Sequence, residues 1–348
     1  MTSETPMNCW LLDLICCPGC RAELRLAESM ERNANSGDLR CVACQTRYPI
    51  HNGLPRFVSA TGQGDQFGFQ WNRFRRTQLD SSSGLPISER RFFSQTGWLR
   101  EDLKGKLVLD VGCGAGRFAE TALAAGARVV AVDCSSAADA CLTNLGPRTS
   151  LGILQADLHH LPLKPNSFDF VYCFGVLQHT PDVKAAFLAV VEQCKPGGRV
   201  AIDVYPKSWS NLVSPKYWLR PLTKRVPVAG LLSAVRVMVP VLLPLSILLG
   251  RVPLAGQKLR HLVPVANYDR VYPLSPMQLR EWALLDTFDM LAPKHDHPQS
   301  VKTLRSWFAE AGLQAIEVFR LGVVVGRGIK PSEQRVSHGG DTDRRADA

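Results

Sequence analysis

The chain has 348 residues, 45% hydrophobic and 21% charged. That globular composition excludes wholesale disorder and fibrous repeats, and the length points to about two domains. The net charge of +10 is concentrated: from Val204 to Tyr268 there is no Asp or Glu, while Lys207, Lys216, Arg220, Lys224, Arg225, Arg236, Arg251, Lys258 and Arg260 supply nine positives. So local an excess argues against a diffuse nucleic-acid-binding surface, and no nucleic-acid partner is expected.

Six of the eleven cysteines fall before residue 45. The opening MTSETPMNCWLLDLICC has no positive n-region and too short an apolar stretch for a signal peptide. The expectation is a cytoplasmic protein whose clustered thiols hold metal rather than form disulfides. Residues 9–58 read as a cysteine-rich module. Cys17-x2-Cys20 and Cys41-x2-Cys44 are two knuckles whose four thiolates suit a tetrahedral structural Zn2+, with Pro18-Gly19 fitting the tight turn. Cys16 leaves the register of the first pair open, and the x2 spacing favours Cys17. Two other readings stand beside zinc: a ribbon that has lost its metal, and a redox pair. LLDLICCPGCRAELRL and LRCVACQTRYPIHNGLPRFV resemble the zinc-ribbon module known as the activator subunit of tRNA and release-factor methyltransferases. That resemblance implies a folding or docking role, against another protein or the chain's own core.

Residues 59–105 read as a linker, SATGQGDQ, and a helical cap. The cap holds the aromatic and basic patch FGFQWNRFRRTQLD and a helix around Ile87 to Trp98. From Lys106 the pattern changes. LVLDV, RVVAVD, ILQAD, FDFVYCF and RVAIDVY are apolar runs separated by helix-length stretches, which predicts α/β architecture with a parallel-type sheet. Helical periodicity returns at Met277–Leu291 and Ser300–Ala311, and QAIEVFR and LGVVVGRG close the chain as strands. Residues 106–205 and 263–330 are assigned to one domain, 206–262 to an insertion, and 331–348 to a disordered tail.

The most informative stretch is LVLDVGCGAGRFAE, residues 107–120. A dinucleotide fingerprint needs a third glycine at position 117, which is Arg117. The spacing is instead D-x-G-x-G-x-G, with Asp110 two residues before Gly112. A carboxylate there suits a cationic ligand without phosphate better than a pyrophosphate. Asp133 and Asp157 follow at the ends of the second and third strands.

This run closely resembles the class I S-adenosylmethionine-dependent methyltransferases, nearest the small-molecule group of ubiquinone and menaquinone methyltransferases. The resemblance implies a Rossmann-like seven-stranded sheet with S-adenosyl-L-methionine as cosubstrate. Asp110, Gly112, Cys113, Gly114 and Gly116 would form the methionine-end loop. Asp133 would hold the ribose, Asp157 and Leu158 the adenine, and Phe174 and Gln178 would complete the cofactor contacts.

His179, just past the fourth strand, is the first catalytic candidate, as base or substrate contact. His295, in His295-Asp296-His297, is the second. Tyr172 and the His159-His160 pair are weaker. VMVPVLLPLSILL at 237–249 is short of the ~20 residues a membrane span needs, and Pro227, Pro240 and Pro244 interrupt it. The insertion is therefore expected to be a lid over the active site, with peripheral membrane contact or a span as alternatives. Its positives belong at the rim. The acceptor expected is a small molecule, partly apolar and acidic. Two other functions remain: a tRNA or protein methyltransferase with its activator fused in cis, and a non-catalytic scaffold. An Asn-Pro-Pro-Tyr-type motif after the fourth strand would favour amide-nitrogen methylation, but the residues there are Phe174-Gly175-Val176-Leu177.

Overall fold

The computed structural model describes residues 7–27, 36–58, 65–208 and 214–332. Most of the 59–66 linker, and the expected disordered tail beyond Ser332, lie outside the described residues.

The N-terminal module is a short helix α1 (Cys9–Leu12) and an antiparallel four-stranded sheet: β1 (Leu24–Leu26), β2 (Ser36–Cys41), β3 (Arg47–His51) and β4 (Leu54–Pro55). Three helices follow, α2 (Asp65–Arg73), α3 (Asp80–Ser83) and α4 (Ile87–Thr96). The sheet then begins with β5 (Leu107–Val111), α5 (Arg117–Ala124), β6 (Arg128–Asp133), α6 (Ala137–Leu145), β7 (Leu151–Gln155), β8 (Phe168–Cys173), α7 (Val183–Glu192) and β9 (Cys194–Val204). The insertion holds α8 (Pro215–Thr223), α9 (Val228–Gly250) and α10 (Gly256–Leu259). α11 (Pro276–Leu291), α12 (Val301–Glu310), β10 (Gln314–Leu321) and β11 (Val323–Ile329) complete the fold. The seven strands run in the order β10-β11-β9-β8-β5-β6-β7. β5 through β9 are parallel, while β11 is antiparallel to both neighbours, so the parallel-type sheet is mixed at that end. β5 is the switch point: the chain winds from it to β6 on one side and to β8 on the other, opening a crevice at the carboxyl ends of these strands.

Strand pleating sends alternate residues to two cores. Val108, Val129 and Tyr172 face α4, α5 and α6. Leu109, Val130 and Val171 face α7 and α12, and this second core also takes in Leu11, Ile15, Leu39 and Ile50 of the ribbon. Arg21 donates to the carbonyls of Leu161 and Leu163, both at 2.9 Å, and Ile15 bridges to Leu163. The ribbon is docked on the chain's own sheet. One core thus serves both units, which is docking on the chain's own core, one of the two roles the resemblance implied; periodicity alone could not choose between them.

The expectation for the insertion is corrected. α9 runs unbroken for 23 residues through Pro240 and Pro244. Proline removes an N–H and frees the carbonyl four residues back. Both prolines sit on the exposed side, where water can satisfy those carbonyls. α9 is thus one helix long and apolar enough to cross a membrane. It packs on α11 through a third core that includes Leu231, Val235, Val239, Leu243 and Phe288.

Candidate functional site

The loop after β5 is shaped by close approach. Gly112 has φ +79°, and a Cβ there would lie 2.2 Å from Val176 of the loop after β8. A Cβ on Gly114 would meet the Trp71 ring at 3.1 Å. These glycines admit a side chain from another element on each side of the turn. The amides of Gly112 and Cys113 donate to the Val132 carbonyl at 2.7 and 3.0 Å, tying the loop to β6.

A cavity of about 770 Å³ opens over this loop, within the range of roughly 300–1,000 Å³ of small-molecule sites. Gly112, Asp133, Asp157 and Leu158 form its floor. Asp133 is held by donors: the Gly114 amide reaches Oδ2 at 3.0 Å, and the Ser135 amide and hydroxyl reach Oδ1 at 2.9 and 2.7 Å. Burial still pushes its carboxyl above the ordinary range. Asp157 accepts from the His159 amide at 2.9 Å and so caps the turn behind it. His159 and His160 also line the cavity.

His179 comes from the loop after β8, which Asp203 anchors. That carboxylate is wholly buried, accepts from the Gly175 amide and pairs with Arg91 at 2.6 Å. His179 lines the cavity between Phe67 and Tyr205, at ring distances of 5.2 and 5.4 Å. Its Nδ1 lies 3.0 Å from the His295 carbonyl, which can only accept, so Nδ1 carries the proton and Nε2 the lone pair. Nε2 is buried without a hydrogen-bond partner among the described residues. Burial, opposed by the Asp289 carboxylate, holds the pKa below the usual histidine value. The ring is a neutral base with its acceptor nitrogen unengaged. His295 itself lines the rim, with its pKa lowered mainly by burial and also by His297. Its carbonyl is what positions His179.

Several residues expected at the cofactor lie behind the cavity wall instead. Asp110 points under the loop, where burial raises its carboxyl to about 7 against the opposing Tyr172 hydroxyl. Cys113 packs towards Cys141, and Gly116 against Leu145. Gly114 faces Trp71 and not the cavity. Phe174 and Tyr172 join an aromatic cluster with Phe92. Gln178 is fully buried, and neither atom of its side-chain amide is hydrogen-bonded among the described residues. Arg117 is half-buried. It donates to Ser88 Oγ at 2.8 Å and Gln78 Oε1 at 2.7 Å, and burial lowers its pKa to about 10.

The walls that sequence reasoning missed come from outside the sheet. Phe67 and Trp71 on α2 cover the cavity, and Pro18, Gly19, Tyr48 and Phe57 of the ribbon close one side. FGFQWNRF carried the signal for α2, since Phe67, Trp71 and Phe74 recur at the i, i+4, i+7 spacing of one helix face. No described residue of 206–262 lines the cavity, so the expected lid is corrected: the cover is α2. The insertion reaches the site indirectly. Lys216 and Arg220 of α8 are buried and meet Asp296 at 2.8 and 3.7 Å, next to His295. These two positives, expected at the rim, are therefore internal.

At the ribbon, the sulfurs of Cys17, Cys20, Cys41 and Cys44 all lie within 4.8 Å of one another. Cys17–Cys44 is 3.6 Å and Cys20–Cys41 3.4 Å. A tetrahedron with bonds of about 2.3 Å has edges of about 3.8 Å, so the donor set fits Zn2+. Cys16 stands apart; its amide donates to Pro162, and burial raises its thiol pKa. The register belongs to Cys17. The Tyr48 hydroxyl lies 3.1 Å from Cys17 Sγ, linking the cluster to the cavity wall.

Residues 109–202 match the methyltransferase domain family, and residues 11–53 match the Trm112p-like protein family. A ubiquinone biosynthesis O-methyltransferase of Vibrio atlanticus is 33% identical over 130 residues, 36% of this chain and 55% of that protein. The Pseudomonas fluorescens enzyme of the same name is 36% identical over 123 residues, 33% and 53% of the two chains. The chain spans about half the length of the curated relatives it matches. Among solved structures, a chain of the complex containing the Haloferax volcanii Trm112 methyltransferase activator aligns with TM-score 0.44 and 14% identity, covering 77% of this chain and 98% of that one. Magnesium protoporphyrin IX methyltransferase from Synechocystis aligns with TM-score 0.42 and 15% identity, covering 75% and 94%.

Proposed function

We propose that this chain, which carries a methyltransferase domain at residues 109–202 and a Trm112p-like module at 11–53, transfers a methyl group from S-adenosylmethionine to a small-molecule acceptor. The observation that carries the reading is the cavity at the switch point, floored by Gly112, Asp133 and Asp157 and holding a neutral His179. Bound there, the cosubstrate supplies an activated methyl group on sulfur. Asp133, with acceptor capacity left on Oδ2, would take ribose hydroxyls, and Asp157 the adenine amine. Trp71 and Phe67 exclude water from above. His179 Nε2 would accept the acceptor's proton while the His295 carbonyl fixes the ring. The relatives' O-methyltransferase name supports an oxygen acceptor. Lys294 at the rim and the aromatic cover suit an acceptor that is partly apolar and acidic. Cys17, Cys20, Cys41 and Cys44 would hold one Zn2+, which takes no part in the chemistry.

Calorimetry with S-adenosylmethionine is the test. Asp133→Ala should weaken binding about ten- to a hundredfold with the fold intact. With a panel of phenolic acceptors, turnover should be flat at neutral pH and fall only below the ordinary histidine value of about 6.5, because burial holds His179 lower and only the neutral ring can accept a proton. His179→Asn should lower kcat roughly 10²- to 10⁴-fold and abolish that acid limb. Wild-type cosubstrate affinity in Asp133→Ala, or an unchanged profile in His179→Asn, would overturn the assignment.

A further inference from the structure

We propose that the outward face of α9 docks this chain on an anionic lipid bilayer, with the helix lying in the plane of the interface. α9 is apolar around most of its circumference, yet only one side is packed against the protein. Leu231, Leu232, Val235, Val239, Leu243 and Ser246 turn inward. Val237, Val241, Leu245 and Leu248, spaced i, i+4, i+8 and i+11, form a stripe on the opposite side and are 71%, 67%, 46% and 65% exposed. The neighbouring Leu222 and Leu254 are exposed as well. A contiguous exposed stripe of this kind marks a docking surface rather than ordinary scatter.

Charge names the partner. Arg236 lies on α9 and Arg251 caps its C-terminus, while Lys224, Arg225 and Lys258 are exposed on the stretches that lead into and out of the helix, in a segment that contains no acid. An apolar face whose own segment carries positives and no acid complements anionic headgroups over an acyl interior. A second copy of this face would bring the same positives together, which disfavours self-association. The length of α9, about 35 Å, would also suit a span. Spanning would, however, strip the inner face from α11 and break the Ser246 hydroxyl's bond to the Arg260 carbonyl.

The experiment is cosedimentation of the full chain with vesicles, either pure phosphatidylcholine or phosphatidylcholine and phosphatidylglycerol in equal parts. Binding to the mixed vesicles, weak on neutral ones and reduced by salt, is the expected result. Val237→Glu/Val241→Glu should lower it by a hundredfold or more, since each lost apolar insertion costs about tenfold. Arg236→Glu/Arg251→Glu should lower it by about twenty-five-fold or more. Both variants replace exposed side chains, so thermal unfolding and S-adenosylmethionine binding should match wild type; binding lost only together with the fold would not count as support and is separated by these readouts. Equal binding to neutral vesicles, resistance to alkaline carbonate extraction, no vesicle binding, or a dimer in sedimentation velocity that the same glutamates dissolve would each overturn the proposal.

Discussion

Asp296→Asn tests how the insertion governs the site. Asp296 is 3% exposed in its side chain, and Lys216 and Arg220 are 10% and 9% exposed. Removing the carboxylate charge leaves two buried cations, and breaking a buried pair costs about 3–5 kcal/mol. Part of that is offset. Arg220 keeps the carbonyls of Met290 and Pro293 at 3.1 and 2.6 Å, and Lys216 Nζ sits 4.8 Å over the Tyr205 ring. A loss of about 2–3 kcal/mol follows, which for a chain of 348 residues calorimetry should register as a fall of roughly 3–5 °C in Tm. The same change frees the 293–297 loop, so the His295 carbonyl no longer fixes His179, and kcat should drop while S-adenosylmethionine affinity holds. Adding Lys216→Met removes the orphaned charge and should restore much of the stability but not the loop anchor. A Tm within about 1 °C of wild type in Asp296→Asn, or a double variant no more stable than the single, would refute the reasoning.

Cys41→Ser should remove one zinc per chain by elemental analysis. It should also unfold the protein in a single step, because metal binding of this type supplies about 10–16 kcal/mol and the ribbon shares its core with the sheet. A methyltransferase domain that still melts at the wild-type temperature would contradict that. Asp110→Asn should stabilise the protein against urea by about 2–4 kcal/mol at pH 8 and leave it unchanged near pH 4. The raised Asp110 pKa, about 7 against about 3.9 unfolded, makes wild type lose stability as pH rises from 4 through 7. Equal differences at both pH values would show that burial is not the cause.

The strands were legible because both faces of a parallel sheet are covered, which writes them as unbroken apolar runs: RVVAVD is β6 to the residue. The loop acids at 133 and 157 and His179 were legible for a related reason, since strand ends in this architecture meet at one crevice. What periodicity could not carry was tertiary placement. Trp71 belongs to a helix before the sheet, and only its packing on Gly114 brings it over the cavity. Tyr48 reads as a ribbon core residue and is one, yet it also forms a cavity wall. Pro240 and Pro244 were weighed as breaks because sequence does not say which side of a helix faces water. Asp110 stood two residues before the first glycine, but strand pleating turns it away from the ligand side.

The place where the ribbon docks has a consequence for solubility. β7 is the last strand of the seven-stranded sheet, and its outer backbone groups would recruit any extended chain that came near. The segment after β4 takes that position: Arg56 bridges to Gln155, and the Phe57 amide donates to the Gln155 carbonyl at 2.7 Å. The ribbon is thus an edge guard, and a metal held by Cys17, Cys20, Cys41 and Cys44 would keep the guard folded. Losing it should open the β7 edge in the same step that breaks the core the ribbon shares with the sheet. The outcome to look for is concentration-dependent aggregation that accompanies this single unfolding step.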